Sequence, residues 1–274
     1  KDGFNISSCQ FALHYFFENE KTLHNFLRNL SECTKINGYF VGTCYDGQTV
    51  FNILKDKNRG DSMTIYQGEE KIYEIIKQYS HTGFPEDEYS LNYPIDVYQE
   101  SINKVFREYL VNFAYFQRIM EDYGFSLAGT EEAKAMGLPN GSGLFDELFQ
   151  QMETDIRENY RNKKEYDSAD KMTIGEKRIS FMNRYFVFRK THNVNAEKVY
   201  KLLVNRDKVD MFEDNDPSSM IGTLEKQDEQ LDKAQNANVK SSVIIRKLPG
   251  KKMKITIGDE KQIDESSLEM RKVE

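Results

Sequence analysis

The sequence predicts an α/β domain, and three observations carry that expectation. Residues 4–11 alternate in the strand period, ending on Gln10 and Phe11. Residues 20–34 place Leu23, Phe26, Leu27, Leu30 and Cys33 on one face at helical spacing. Residues 39–43 then form a short, buried-type strand. A strand–helix–strand unit with such short connections favours parallel pairing through a right-handed crossover.

Taken in order, Glu18-Asn19-Glu20 leads into the first helix, and Asn37-Gly38 reads as the turn that stops it. A second helix is expected from Asp46-Gly47 to about Lys57, with Val50, Phe51 and Leu54 inward. Between 62 and 106 the pattern is mixed: 63–66 and 90–97 look extended and 69–79 looks helical. From Arg107 to Tyr123 the positions Leu110, Phe113, Phe116, Ile119 and Met120 predict a helix closed by Gly124. Residues 125–129 read as a strand. Residues 131–170 read as an insertion with a helix from 144 to 162, and 179–188 as an aromatic final core strand. Residues 205–240 have the polar makeup of a linker or disordered tail. Two alternating runs around Pro249-Gly250 suggest a hairpin within 241–257. The expected division is a domain over 1–190 and a polar tail over 191–274.

Composition narrows the classes. At 274 residues, 38% hydrophobic and 30% charged, the chain is ordinary for a soluble globular protein. No stretch approaches membrane-spanning length, so no membrane partner is expected. The chain begins on Lys1, almost directly on a strand, and is expected to be a fragment. Cys9, Cys33 and Cys44 lack paired spacing, and four scattered histidines give no zinc pattern. A reducing, intracellular setting and no metal are therefore expected. The net charge of −7 disfavours a broad nucleic-acid surface, DNA included, but not one nucleotide in a pocket.

The run Ser8-Cys9-Gln10-Phe11-Ala12-Leu13-His14-Tyr15 sets an amide, two aromatic rings and a histidine at a strand's carboxyl end, where α/β proteins bind ligands. Singly, each candidate has a plain structural reading. His14 suits a satisfied structural histidine, and Gln10 a cap for a backbone amide. Glu108 reads as an exposed helix-start glutamate favoured by the helix dipole. Tyr185, among Phe181, Phe186 and Phe188, reads as core.

Their order and context resemble the messenger-RNA cap guanine-N7 methyltransferase family, in its large-DNA-virus capping-enzyme branch. The matching pieces begin with Phe4-Asn5-Ile6-Ser7-Ser8-Cys9-Gln10-Phe11-Ala12-Leu13-His14-Tyr15-Phe16-Phe17-Glu18 and Gly38-Tyr39-Phe40-Val41-Gly42-Thr43. Glu108-Tyr109-Leu110-Val111-Asn112-Phe113 and Ile179-Ser180-Phe181-Met182-Asn183-Arg184-Tyr185-Phe186-Val187-Phe188 follow. The resemblance covers roughly residues 3–190 and is absent from the tail. It implies a Rossmann-like class I S-adenosylmethionine-dependent methyltransferase, N-terminally truncated, with a C-terminal extension.

It also implies the site. Gln10 and Tyr15 match positions lining the S-adenosylmethionine pocket, and His14, Glu108 and Tyr185 match positions contacting the cap guanine. An ionised Glu108 could accept from guanine N1–H and the exocyclic amine together; a histidine N–H could donate to O6. The Tyr185 ring could supply a stacking face. Guanine N7 carries a lone pair and no proton, so no catalytic acid or base is expected, and proximity and electrostatics would carry the rate. Where the family has a Gly-rich turn, an acidic ribose ligand and upstream basic residues for the cap phosphates, this chain has no counterpart. Its strand-start aspartate is Asn5, and the proline usual in cellular members after Gly42-Thr43 is replaced within Cys44-Tyr45-Asp46-Gly47. The implied partners are the capped 5′ end of mRNA and other capping-enzyme domains or subunits, in host cytoplasm, virus factory or virion if the source is viral. Two alternatives stand beside this reading: a non-catalytic stimulatory subunit that keeps the fold, and a small-molecule methyltransferase.

Overall fold

Strand β1 (Phe4–Gln10), helix α1 (Glu20–Cys33) and strand β2 (Thr34–Tyr45) form the expected unit, with β1 and β2 parallel. The computed structural model describes residues 3–166, 168–204, 244–247 and 253–256. The Asn19 side chain caps α1 by accepting from the Thr22 amide at 2.9 Å, and Leu23, Leu27 and Leu30 are buried. Asn37-Gly38 is not the turn anticipated from sequence. β2 starts directly after α1, and the pairing steps from Phe4–Thr34 to Ile6–Tyr39, so the two residues form a bulge. Asn37 takes φ +63°, a region asparagine tolerates.

Helix α2 (Gly47–Leu54) is capped by Asp46, which accepts from the Thr49 amide at 2.8 Å. It ends before Lys57, where the sequence placed its end. The buried Lys77 amine takes the Leu54 and Lys57 carbonyls at 3.1 and 2.8 Å, closing the helix there. Next comes a four-stranded antiparallel meander: β3 (Ser62–Gln67), β4 (Glu70–Lys77), β5 (Pro94–Gln99) and β6 (Lys104–Tyr109). Two expectations fail here. Residues 69–79 are not helical: Ile72, Ile75, Ile76 and Tyr79 fit helical spacing, but Tyr73 and Ile75 bury in strand alternation between two partner strands. Residues 107–109 belong to β6, and helix α3 (Phe113–Asp122) begins only after Asn112, which accepts from the Tyr115 amide at 3.1 Å.

Strand β7 (Phe125–Leu127), helix α4 (Thr130–Ala135), strand β8 (Ser142–Leu144), helix α5 (Phe145–Glu158) and helix α6 (Ile174–Ser180) lead to β9 (Asn183–Lys190). The final strand thus starts later than residue 179, because a capping box between Thr173 and Glu176 keeps 174–180 helical. Helix α7 (Ala196–Val204) follows; Glu197 meets Arg28 of α1 at 2.8 Å. The first sheet runs β1-β2-β9-β7, with β8 also on β9, and β9 is antiparallel to both β2 and β7. Phe40, Phe116, Phe186 and Phe188 centre one core against this sheet; Val50, Leu54, Tyr73, Ile75 and Ile95 centre another under the meander.

Strands β10 (Ile244–Lys247) and β11 (Met253–Thr256) pair antiparallel as a separate unit. The expected linker over 205–240 and the Pro249-Gly250 turn lie outside the described residues. Among those described, no helix is long and apolar enough to cross a membrane.

Candidate functional site

Because β1 and β2 are parallel, Gln10 and Tyr45 finish at the same sheet edge. Gln10, Thr43 and Tyr185 lie in register across β1, β2 and β9. Thr43 Oγ1 donates to Gln10 Oε1 at 2.8 Å, and Gln10 Nε2 donates to Ser8 Oγ at 3.0 Å, which fixes the amide's orientation. Phe11 then turns the chain at φ +49°, and its exposed ring meets Phe145 edge-on at 6.3 Å.

The following 3-10 turn, Leu13–Glu18, is anchored by Leu13 and Phe17, both fully buried. Between these anchors His14 is drawn inside, 4% exposed, whereas Tyr15 is left 47% exposed. The His14 and Tyr15 rings touch edge-on at 4.2 Å.

Glu108 corrects the sequence expectation most sharply. It is not an exposed helix-start residue; it stands on β6 opposite Ile95 and is 8% exposed. Its Oε2 lies 3.7 Å from His14 Nε2. That atom and both His14 ring nitrogens are buried without a hydrogen-bond partner. Burial pushes the Glu108 carboxyl up to about 7 and the His14 imidazole down to about 4. Near neutral pH the pair is therefore a neutral imidazole facing a half-ionised carboxyl, not an ion pair. Buried polar atoms left unpaired are costly, and a cluster of them at a strand end is a candidate ligand site.

Two residues beyond Thr43 on the same face of β2, Tyr45 lies alongside His14, with ring centroids 6.4 Å apart and planes within 27°. The fully buried Tyr73 of β4 donates its hydroxyl proton to Tyr45 Oη at 2.6 Å. Sequence reading missed both tyrosines. The Tyr45-Asp46-Gly47 strand-to-helix loop was the available signal for the first; the second sits in a strand whose spacing imitates a helix.

Tyr185 is 5% exposed, so its ring is enclosed and not an open stacking face. The Asn140 amide donates to its hydroxyl at 3.4 Å, and Ser142 Oγ donates to its carbonyl at 2.7 Å. The predicted residues therefore form two groups. Gln10 and Tyr185 meet through Thr43; His14, Tyr15 and Glu108 meet directly, and Thr43 and Tyr45 of β2 join the groups. Arg184 braces this junction, donating to Asp46 Oδ2 at 2.8 Å and to Ser142 Oγ at 3.1 Å, over the Phe113 ring.

Comparison with known proteins converges. The mRNA (guanine-N(7))-methyltransferase domain family matches residues 1–191. The chain is 30% identical over 219 residues to a probable mRNA-capping enzyme of Acanthamoeba polyphaga mimivirus, covering 73% of this chain and 18% of that protein. It is 27% identical over 131 residues to the mRNA cap guanine-N(7) methyltransferase of Caenorhabditis briggsae, covering 46% of this chain and 32% of the relative. The CcbJ methyltransferase from Streptomyces caelestis overlaps 70% of this chain and 59% of its own, at a TM-score of 0.37 and 9% identity, too loosely to inform the site.

Proposed function

The chain belongs to the mRNA (guanine-N(7))-methyltransferase domain family, and we propose that it transfers a methyl group from S-adenosylmethionine to N7 of the guanosine cap of mRNA. Its β1–β9 domain is a Rossmann-like class I methyltransferase fold. The observation that carries the reading is the buried, unpartnered pair of Glu108 and His14 at the carboxyl edge of β1 and β2.

In this reading the ionised Glu108 accepts from the guanine N1–H and exocyclic amine, and neutral His14 donates to O6. Adenine presents the opposite polarity at positions 1 and 6, so the pair selects guanine. Tyr185 borders the pocket through Thr43. Guanine N7 already holds its lone pair, so no side chain needs to remove a proton. The residues act by fixing the base against the methyl donor, and orientation supplies the larger part of the rate.

The residues at the β1 end suit the cosubstrate. Gln10 offers a positioned amide, and Phe11 and Tyr15, just after it in the chain, offer exposed aromatic rings, a set suited to a purine nucleoside bearing a cation. Bound there, S-adenosylmethionine supplies the methyl group as an electrophilic sulfonium. Gln10 and Tyr15 would hold it.

The chain spans 18% and 32% of the lengths of the two relatives above. We propose residues 1–190 as the carboxy-terminal part of a cap methyltransferase domain and 191–274 as an extension that opens on helix α7, packed on α1. The partners are capped mRNA and further capping-enzyme domains or subunits, in a reducing intracellular setting.

Binding of GpppA and ApppA dinucleotides, measured by calorimetry on the full chain and on Glu108→Ala, tests the reading. GpppA should bind in preference to ApppA, and the folded variant, checked by thermal unfolding, should lose that preference. Equal affinity of both proteins for GpppA would overturn it.

A further inference from the structure

The Tyr45–Tyr73 hydroxyl pair is not used in the scheme above, yet it sits against its centre. Tyr73 is fully buried in the meander core and donates to Tyr45 Oη at 2.6 Å. That bond settles the polarity of the second hydroxyl. With its oxygen already accepting, Tyr45 keeps one phenolic proton, and no acceptor for that proton stands among the described residues. Glu108 Oε2 is itself without a partner, so the proton is not directed to that atom. Accepting one hydrogen bond also strengthens a hydroxyl as a donor.

The position of this donor matters. Tyr45 lies alongside His14, near-parallel at 6.4 Å, and His14 Nε2 lies 3.7 Å from Glu108 Oε2. A base whose N1–H and amine are taken by Glu108 presents its position-6 substituent next along the same edge. In guanine that substituent is a carbonyl oxygen with two lone pairs; in adenine it is an amine with protons of its own. A neutral imidazole supplies one N–H and fills only one of the two lone pairs.

We propose that Tyr45 is a specificity-determining residue of the purine pocket, its hydroxyl donating to the 6-carbonyl oxygen of the bound base, and that Tyr73 is a positioning residue that holds Tyr45 as a donor. The proposal rests on the guanine-pocket reading above. It adds a second, independent element of guanine selection, delivered from the meander through β2 and separate from the carboxylate. An adenine amine would meet the Tyr45 proton head-on.

The test compares GTP with 6-thio-GTP, which keeps N1–H and the exocyclic amine but replaces O6 by sulfur, a weak acceptor. Dissociation constants for both are measured on the full chain and on Tyr45→Phe, Tyr73→Phe and the double variant, with thermal unfolding followed for each. The preference for GTP should fall about three- to tenfold in Tyr45→Phe, the range of one lost hydrogen bond. Tyr73→Phe should lose a smaller part of the preference, because the Tyr45 proton remains but is no longer held in place. The double variant leaves no buried hydroxyl unpaired, so it folds even if Tyr45→Phe strands the Tyr73 proton, and it should match Tyr45→Phe. An unchanged preference in the folded double variant overturns the assignment. So does an equal loss in Tyr73→Phe alone, which would mean that the pair acts through packing. Failure of the unsubstituted chain to bind GTP would instead overturn the pocket reading and this proposal with it.

Discussion

Glu108 Oε2 and His14 Nε2 face each other across 3.7 Å, buried, with neither atom hydrogen-bonded to anything. Glu108 is carried by strand β6 of the meander, and His14 by the 3-10 turn that follows β1. Each has been moved by burial toward its neutral form, the carboxyl to about 7 and the imidazole to about 4.

Guanine binding should therefore depend on pH. The ligand needs Glu108 ionised, and the free protein holds the proton up to about 7. The dissociation constant for GTP should weaken about tenfold per unit as pH falls below 7 and level off above it. Glu108→Gln should bind weakly with no such slope. A wild-type profile flat from pH 6 to 8 would contradict the assignment.

The same groups shape stability in opposite directions. Glu108 releases its proton near 4.5 unfolded and near 7 folded, so between those values the folded state binds more protons and loses stability as pH rises. Above 7 the cost is complete, on the order of 3 kcal/mol. Glu108→Gln should then melt several degrees above wild type at pH 8 and little differently at pH 4. For His14 the folded value near 4 lies below the unfolded 6.5, so stability is lost as pH falls between them. His14→Asn should flatten that acid limb; thermal melts across pH 4–8 check both.

Gly47→Ala should be severely destabilising. A Cβ there would sit 2.3 Å from the Val111 carbonyl oxygen, which accepts from the Gly47 amide at 3.0 Å. Relieving that clash means parting α2 from the 111 segment, at a cost of about 2–4 kcal/mol. A urea midpoint close to wild type would show that the contact yields cheaply.

Arg184→Lys should disturb the site more than its charge suggests. A lysine cannot keep both the Asp46 and Ser142 contacts or the flat guanidinium over Phe113. The expected loss is about 1–2 kcal/mol in stability, with weakened GTP binding at unchanged pH dependence. A shift in the pH profile would place Arg184 nearer to Glu108 than its contacts do.

Which parts were legible in the sequence follows from how local each signal is. The α1 stripe as far as Leu30, the start of α2 at Asp46-Gly47 and the row ending at Gln10 are written within short windows, and the structure keeps them; Cys33, read onto the same stripe, is exposed. Glu108 was misplaced because the apolar period of α3 continues upstream into β6 through Leu110, and only Asn112 marks the true start. Residues 69–79 failed for a related reason: Ile72, Ile75, Ile76 and Tyr79 fit helical spacing, and the decision comes from β3 and β5 on either side. Tyr45 was passed over because its partner, Tyr73, is 28 positions away in that misread strand. His14 and Glu108 were grouped with Tyr185 through family resemblance, and the structure brings the first two within 3.7 Å; the burial of Glu108 was not legible, since it depends on how a 3-10 turn and a meander edge meet.

The elevated Glu108 carboxyl makes ligand uptake and proton release a single event. A guanine that pairs only with the ionised form must expel the proton that the empty pocket retains, a larger fraction of one per molecule the more acidic the solution. The heat of association measured by calorimetry should then vary with the ionisation enthalpy of the buffer, steeply in mildly acidic solution and hardly at all in alkaline.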